Sequence, residues 1–237
     1  NNNRSLDFSD QMNLWLSHKL YDIENHAGEQ LPDLTWQSNQ VPETWETRQS
    51  WGTTTPTEIS LANLQTPVSY TDKQTKLAYT AYSQDYNHWR SLMIDRDAHE
   101  LDHSRVIFLQ PKQKQDLLID GEVSLQLRIK SSTNVGLVSA MLVDYGDASR
   151  LTTKPVPQGS QIDRGVNWQP TPLVEFQQAK KTPNKMITIG HINMQNRENA
   201  WRVNDLRPDE YVDLTLTLQP TLYRLTAGHQ LGIVIYG

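Results

Sequence analysis

Five residues in this chain match a catalytic pattern outright. His99-Glu100-Leu101-Asp102-His103 reads as H-E-x-x-H, the spacing with which zinc proteases set two imidazoles on one helical face beside a glutamate base. That chemistry needs a helix that is mostly buried, so that the metal is fixed and bulk water excluded. Here Asp95-Arg96-Asp97-Ala98 precedes the match, Ser104-Arg105 follows it, and Asp102 places a further charge inside it. The segment runs directly into an apolar stretch, Val106–Leu109, with no apolar helical face left to bury it. The match therefore reads as a solvated charged link, and a zinc protease built on His99, Glu100 and His103 is the remote alternative.

Other chemistries have less footing. No Gly-x-Ser-x-Gly elbow occurs, so Ser139 and a distant histidine have no frame for nucleophilic catalysis. Neither a phosphate-cradling G-x-x-x-x-G-K-[ST] nor a G-x-G-x-x-G is present. Asp144, Asp147 and Asp163 lie near glycines and would suit calcium by their oxygen chemistry, but aspartate is equally expected where a turn must be capped locally. His191 and His229 each follow a glycine at an expected strand end and read as loop or packing residues. Lys112 and Lys114 read as a solvated link. Trp36, Trp45, Trp51, Trp168 and Trp201 could stack on sugars, although aromatics more often fill cores and interfaces. No catalytic, cofactor-binding or metal-binding residue is assigned on these grounds.

Composition narrows the classes further. The 237 residues carry 22 Lys+Arg against 27 Asp+Glu, a formal charge of −5, and no Cys. Thiol catalysis, disulfide scaffolds and Cys-ligated zinc are excluded, and a nucleic-acid binder would need a basic footprint. Mean hydropathy is −0.65, which suits antiparallel strands with one polar face.

The elements that must position these residues start with a helix. Phe8, Met12, Trp15, Leu16, Leu20 and Ile23 recur at helical spacing and predict a helix over 6–24, with Gly28 beyond its end. From about residue 34 the period becomes two. Val123, Leu125, Leu127 and Ile129 alternate with polar residues, as do Val212, Leu214, Leu216 and Leu218. Val135–Val143 is almost wholly apolar and predicts a strand covered on both faces. Trp45–Trp51, Leu77–Tyr82, Arg105–Leu109, Met186–Ile189 and Leu231–Tyr236 are further strand candidates, and 84–98 suggests a short inserted helix. Asp120-Gly121, Tyr145-Gly146-Asp147, Gly159-Ser160, Asp163-Arg164-Gly165 and Ala227-Gly228 read as turns. The proline-rich 151–185 stretch predicts an irregular crossing between sheets. Together these imply a mainly β sandwich, a jelly roll.

Both ends read as cut, the first at Asn1-Asn2-Asn3 and the last within Leu231–Tyr236. The apolar stripe of the first helix is then expected to pack on the β-domain or on a second copy, because a large bare apolar patch is unfavourable. Leu231–Tyr236 is expected to leave an unprotected edge.

Several segments in order carry a resemblance. Leu218-Gln219-Pro220-Thr221-Leu222-Tyr223 and Ala227-Gly228-His229-Gln230-Leu231 resemble the C-terminal β-domain of Xaa-Pro dipeptidyl-peptidases of the lactic-acid-bacterial type. So do Gly121-Glu122-Val123-Ser124-Leu125-Gln126-Leu127, Leu142-Val143-Asp144-Tyr145-Gly146 and Asp163-Arg164-Gly165-Val166-Asn167-Trp168. Asn2-Asn3-Arg4-Ser5-Leu6-Asp7-Phe8-Ser9 resembles the stretch after that family's catalytic histidine. The wider cocaine-esterase-like hydrolases share the β-domain pattern. The resemblance implies residues 1–27 as the terminal helix of a catalytic α/β-hydrolase domain and 28–237 as a galactose-binding-like jelly roll. It implies a cytoplasmic serine peptidase that releases N-terminal Xaa-Pro dipeptides, with its triad upstream of Asn1. This chain would be its non-catalytic part, inactive alone and without a cofactor, bracing the catalytic domain and shaping substrate access. Its partners would be that domain, proline-containing peptides for the whole enzyme, and a second copy through the first helix. Neither nucleic acid nor membrane is expected to bind it. A carbohydrate- or ligand-binding jelly-roll module is the alternative.

Overall fold

The structure is a computed structural model that describes residues 8–31, 33–41, 44–52, 56–60, 67–73, 75–156 and 173–237. It is mainly β with few helices, and it divides into two compact units, residues 1–53 with 149–181 and residues 54–148 with 182–237.

In the first unit, α1 (Phe8–Tyr21) is the helix read from the apolar spacing. His18 and Lys19 lie in its last turn, where cations complement the exposed carbonyls. Asn25 ties the following loop back by donating from Nδ2 to the Leu14 carbonyl at 2.8 Å. Its own Oδ1 accepts from the amide of Ala27, which opens the short helix α2 (Ala27–Gln30). Strands β1 (Leu34–Gln37) and β2 (Trp45–Arg48) form an antiparallel pair with Leu34 opposite Arg48. The guanidinium of Arg48 lies 4.6 Å from the Trp36 ring centre. Met12, Trp15, Leu16 and Leu20 of α1, and Ile23 just past its end, are exposed, Leu20 at 68%.

The second unit opens with a helical pair, α3 (Lys76–Gln84) and α4 (Tyr86–Ile94). The strand expected over Leu77–Tyr82 is thus a helix. Its aromatic residues suit a strand, but Thr75 caps the Ala78 amide at 3.1 Å and the buried Ala78 and Ala81 repeat at helical spacing. The inserted helix expected over 84–98 is α4. Asp85 terminates α3 and caps α4, accepting from the Asn87 amide at 2.9 Å.

The remaining elements are strands: β3 (Arg105–Lys112), β4 (Leu117–Gly121), β5 (Ser124–Ile129), β6 (Leu137–Val156), β7 (Leu173–Asn193), β8 (Val212–Thr217), β9 (Thr221–Leu225) and β10 (Gln230–Tyr236). One sheet has the order β3-β10-β6-β7, and the pairs β4–β9 and β5–β8 form further antiparallel ladders. Two sequence expectations change here. Residues 151–156 and 173–185 are strand, not an irregular crossing, because β6 and β7 are 20 and 21 residues long. The turns expected at Gly159-Ser160 and Asp163-Arg164-Gly165 lie outside the described residues. The expected unprotected edge is the reverse: β10 is paired on both sides, Val234 with Ile107 of β3 and with Met141 of β6. Every residue from Leu231 to Tyr236 is buried, so a central position is the one that satisfies both its side chains and its backbone.

The period of two explains how that sheet is filled. Leu231, Ile233 and Ile235 join Val138, Ala140 and Leu142 of β6 in one cluster with Leu125, Leu214, Leu216, Tyr223 and Leu225. Val234 and Tyr236 join Met141, Val143 and Tyr145 in a second cluster with Ala78, Met93, Ile94 and Leu101. The apolar run expected over Val135–Val143 is covered on both faces from Val138 to Val143, whereas Val135 and Leu137 at its start are exposed. Pro111 falls where the β3–β10 register shifts, at the sheet edge, where its missing N–H is tolerated. Gly190 permits a close crossing, since a Cβ there would lie 2.5 Å from the Thr217 carbonyl oxygen.

Candidate functional site

The H-E-x-x-H segment lacks the geometry its chemistry requires. Only His99–Leu101 is helical, and it is a single tight 3₁₀ turn between α4 and β3. The residues at i and i+4 then do not share a buried face. His99 is 78% exposed and pairs through Nδ1 with Asp102 Oδ2 at 3.1 Å. Glu100 and His103 are exposed as well. The one buried member, Leu101, is an anchor in the core beneath the helical pair. Among the described residues no group of three or more His, Asp or Glu is placed to hold a metal ion. We expect His99→Ala and His103→Ala variants to retain the same background zinc after dialysis, read by elemental analysis. Stoichiometric zinc lost in either variant would restore the protease reading.

Asp144 and Asp147 are not turn residues, since both lie within β6. Asp163 and Trp168 fall outside the described residues. Asp144 is 3% exposed and closes a polar network that the sequence reading did not foresee. Its Oδ2 accepts from the Tyr223 hydroxyl at 2.8 Å, and its Oδ1 meets His229 Nδ1 at 2.8 Å. Gly146 makes this fit possible, because any side chain there would collide with the His229 ring. The Gly228-His229 pair at the start of β10 was the only local signal. The network pins β6, β9 and the approach to β10 to one register.

Ser139 and His191 also come together, with His191 Nδ1 2.8 Å from Ser139 Oγ. The sequence offered no support for that pairing. It is nonetheless not an accessible dyad: Ser139, near the start of β6, is 1% exposed, so its Oγ is closed to a substrate carbonyl. Burial likewise keeps the nearby phenols protonated. It pushes Tyr145 up to about 12, and its hydroxyl donates to the Ile94 carbonyl at 2.8 Å. Burial raises Tyr236 in the same direction.

Arg105, at the start of β3, organises the helical pair. Its guanidinium donates to the carbonyls of Leu92, Met93, Asp95 and Ala98 at 2.6–3.0 Å. Leu92 and Met93 lie in the last turn of α4, and Asp95 and Ala98 in the link to the 3₁₀ turn. The polar contacts of Asp144, Tyr223, His229 and Arg105 tie the elements of this unit to one another.

What the surface offers instead is apolar. The α1 stripe is open, and Trp15, Trp51 and Trp201 are exposed on three separate segments: α1, the loop after β2, and the connection between β7 and β8. No row of stacked tryptophans is seen among the described residues, and the side chain of Trp45 is not described. Trp89 is instead bound into an aromatic group with Tyr82, Tyr86 and Tyr236, at centre distances of 5.3–5.9 Å.

Comparison with known proteins agrees with this distribution. Residues 25–237 match the model of the X-Pro dipeptidyl-peptidase C-terminal non-catalytic domain. The chain is 40% identical over 245 residues to an Xaa-Pro dipeptidyl-peptidase of Ligilactobacillus salivarius, an alignment covering 100% of this chain and 31% of that protein. It is 38% identical over 253 residues to the one of Pediococcus pentosaceus, covering 98% and 31%. Its fold is similar to part of an aminopeptidase from a marine sediment archaeon, Thaumarchaeota archaeon, with a TM-score of 0.51 and 16% identity over 95% of this chain and 35% of that one. The chain therefore spans about a third of the length of the curated relatives it matches.

Proposed function

Because this chain belongs to the family of X-Pro dipeptidyl-peptidase C-terminal non-catalytic domains, we propose that it braces the catalytic segment of such an enzyme and helps shape access to it. The exposed stripe of α1 carries this reading. Met12, Trp15, Leu16, Leu20 and Ile23 together form an apolar surface that a soluble domain covers with a partner. Residues 1–27 are read as the last helix of the catalytic domain and 28–237 as the β-domain, a galactose-binding-like jelly roll. The whole enzyme releases Xaa-Pro dipeptides from peptide N-termini and acts in the cytoplasm. No helix among the described residues is long and apolar enough to cross a membrane.

The division of labour is testable with an Xaa-Pro chromogenic substrate. The 237-residue chain alone is expected to give no turnover, whereas a chain carrying the preceding segment of its relatives turns over. Replacing Leu16 and Leu20 by Asp in the longer chain is expected to lower its unfolding midpoint, since each change places a charge against the catalytic segment. Turnover by the short chain, abolished by a mutation within it, would overturn the reading.

A further inference from the structure

Between β7 and β8 the chain makes a connection whose ends are fixed and whose tip is bare. At its base, Met194 is 2% and Leu206 4% exposed, and both belong to a core cluster. The amide of Met194 donates to Gly136 at 2.8 Å and that of Leu206 to Asn134 at 2.9 Å. At the tip, Trp201 is 93% exposed and Val203 70%. Tips of this kind are ordinarily polar and mobile; this one is held by its own polar side chains. Arg197 donates to the carbonyls of Met194 and Asn204 at 3.1 and 2.8 Å. Asn196 donates to those of Ala200 and Arg202 at 3.3 and 3.0 Å. Asn199 Oδ1 accepts from the Trp201 amide at 2.8 Å. Asn204 Nδ2 donates to Glu198 at 2.9 Å, and Gln195 Nε2 donates to Asp205 at 2.6 Å.

This bonding orders the backbone that carries Trp201 while its indole stands in water, which the chain alone gains nothing from. A tryptophan carried on a tip whose backbone is already ordered is the arrangement of an interface anchor, where part of the ordering entropy is spent before contact. We propose that Trp201, with Val203 beside it, is a docking anchor for the catalytic segment that precedes this domain in its relatives. The inference rests on the reading of the chain as the C-terminal part of a longer peptidase. The occupant follows from the extent of the match, since the aligned region is only 31% of the relative and is the C-terminal, non-catalytic part. A sugar would need a second ring alongside, and Trp201 enters none of the aromatic pairs among the described residues.

Hydroxyl-radical footprinting, read by mass spectrometry at Trp201, tests this on the longer chain and on the 237-residue chain at equal concentration. Oxidation of Trp201 is expected to be roughly fivefold slower in the longer chain, as for an anchor in a desolvated pocket. Equal rates overturn the proposal. So does protection in the short chain that grows with its concentration, because the occupant is then a second copy. Trp201→Ala provides the second arm. It is expected to leave the unfolding midpoint of the short chain unchanged and to lower that of the longer chain by about 3 °C; the same shift in both, or none in either, overturns the anchor. Xaa-Pro turnover by a longer chain whose Trp201 is unprotected removes the docking inference and leaves the peptidase reading intact. Protection without turnover removes the peptidase reading and leaves the docking supported.

Discussion

Arg105→Ala is expected to lower the unfolding free energy by about 4 kcal/mol, a large share of the 5–15 kcal/mol typical of a domain. The guanidinium is wholly buried and spans four carbonyls, those of Leu92, Met93, Asp95 and Ala98. The carbonyls of Leu92, Asp95 and Ala98 each also accept one backbone amide, from Asp95, Ala98 and Leu101, so the guanidinium gives these three a second bond and gives Met93 its bond beyond the end of α4. Truncation removes one charge-assisted bond from each of the four in the protein interior and takes from Met93 its only donor shown here, at about 1–3 kcal/mol for a buried group left unpaired. Arg105→Lys keeps the charge, but one ammonium cannot reproduce a planar fork across four acceptors, so it should lose about half as much. Asp102 approaches the same guanidinium at 3.5 Å but is half exposed. Asp102→Ala should therefore cost less than about 1 kcal/mol. Urea unfolding followed by circular dichroism measures all three. Arg105→Ala within 1 kcal/mol of the parent would show that water replaces the guanidinium and that the helical pair stands without it.

Asp144→Ala is expected to cost about 3 kcal/mol, for a related reason. The carboxylate takes hydrogen bonds at 2.8 Å from Tyr223 and from His229 on two different elements. Without it both donors lose that acceptor while remaining largely buried. Asp144→Asn conserves volume and one oxygen, and the Tyr223 hydroxyl can rotate to accept from the new amide, so about 1 kcal/mol is expected. The gap between the two variants separates hydrogen bonding from packing. A double-mutant cycle with Tyr223→Phe should give a coupling of about 1–2 kcal/mol. Additive losses would mean that the two side chains do not act as a unit.

These clusters show where the sequence stopped being readable. The strands β5 and β8 were legible because alternation is local: Leu214 and Leu216 are buried while Asp213, Thr215 and Thr217 are exposed. The α1 helix was legible for the same reason. Helix α3 was misread, since its tyrosines suit either element and the decision lay with Thr75 and two alanines meeting a core. The apolar run of β10 reads as a strand, yet its partners lie 85 to 131 residues away, so nothing local marked it as central. The polar network joins Asp144 to residues 79 and 85 positions along, and Ser139 meets His191 across 52. No spacing rule reaches that far.

The sequence alone determined the class of this protein. Period-two patterning, the absent serine elbow, the missing cysteines and an ordered set of family-like segments were enough to mark a β-rich, non-catalytic C-terminal domain, and to set the H-E-x-x-H match aside. Only the tertiary structure decided which polar residues are structural, that β10 is the heart of its sheet, and that α1 and Trp201 keep their apolar surface in water. The physical reason is that periodicity reports which face of an element is apolar, whereas burial and hydrogen bonding depend on what the rest of the chain brings against that face.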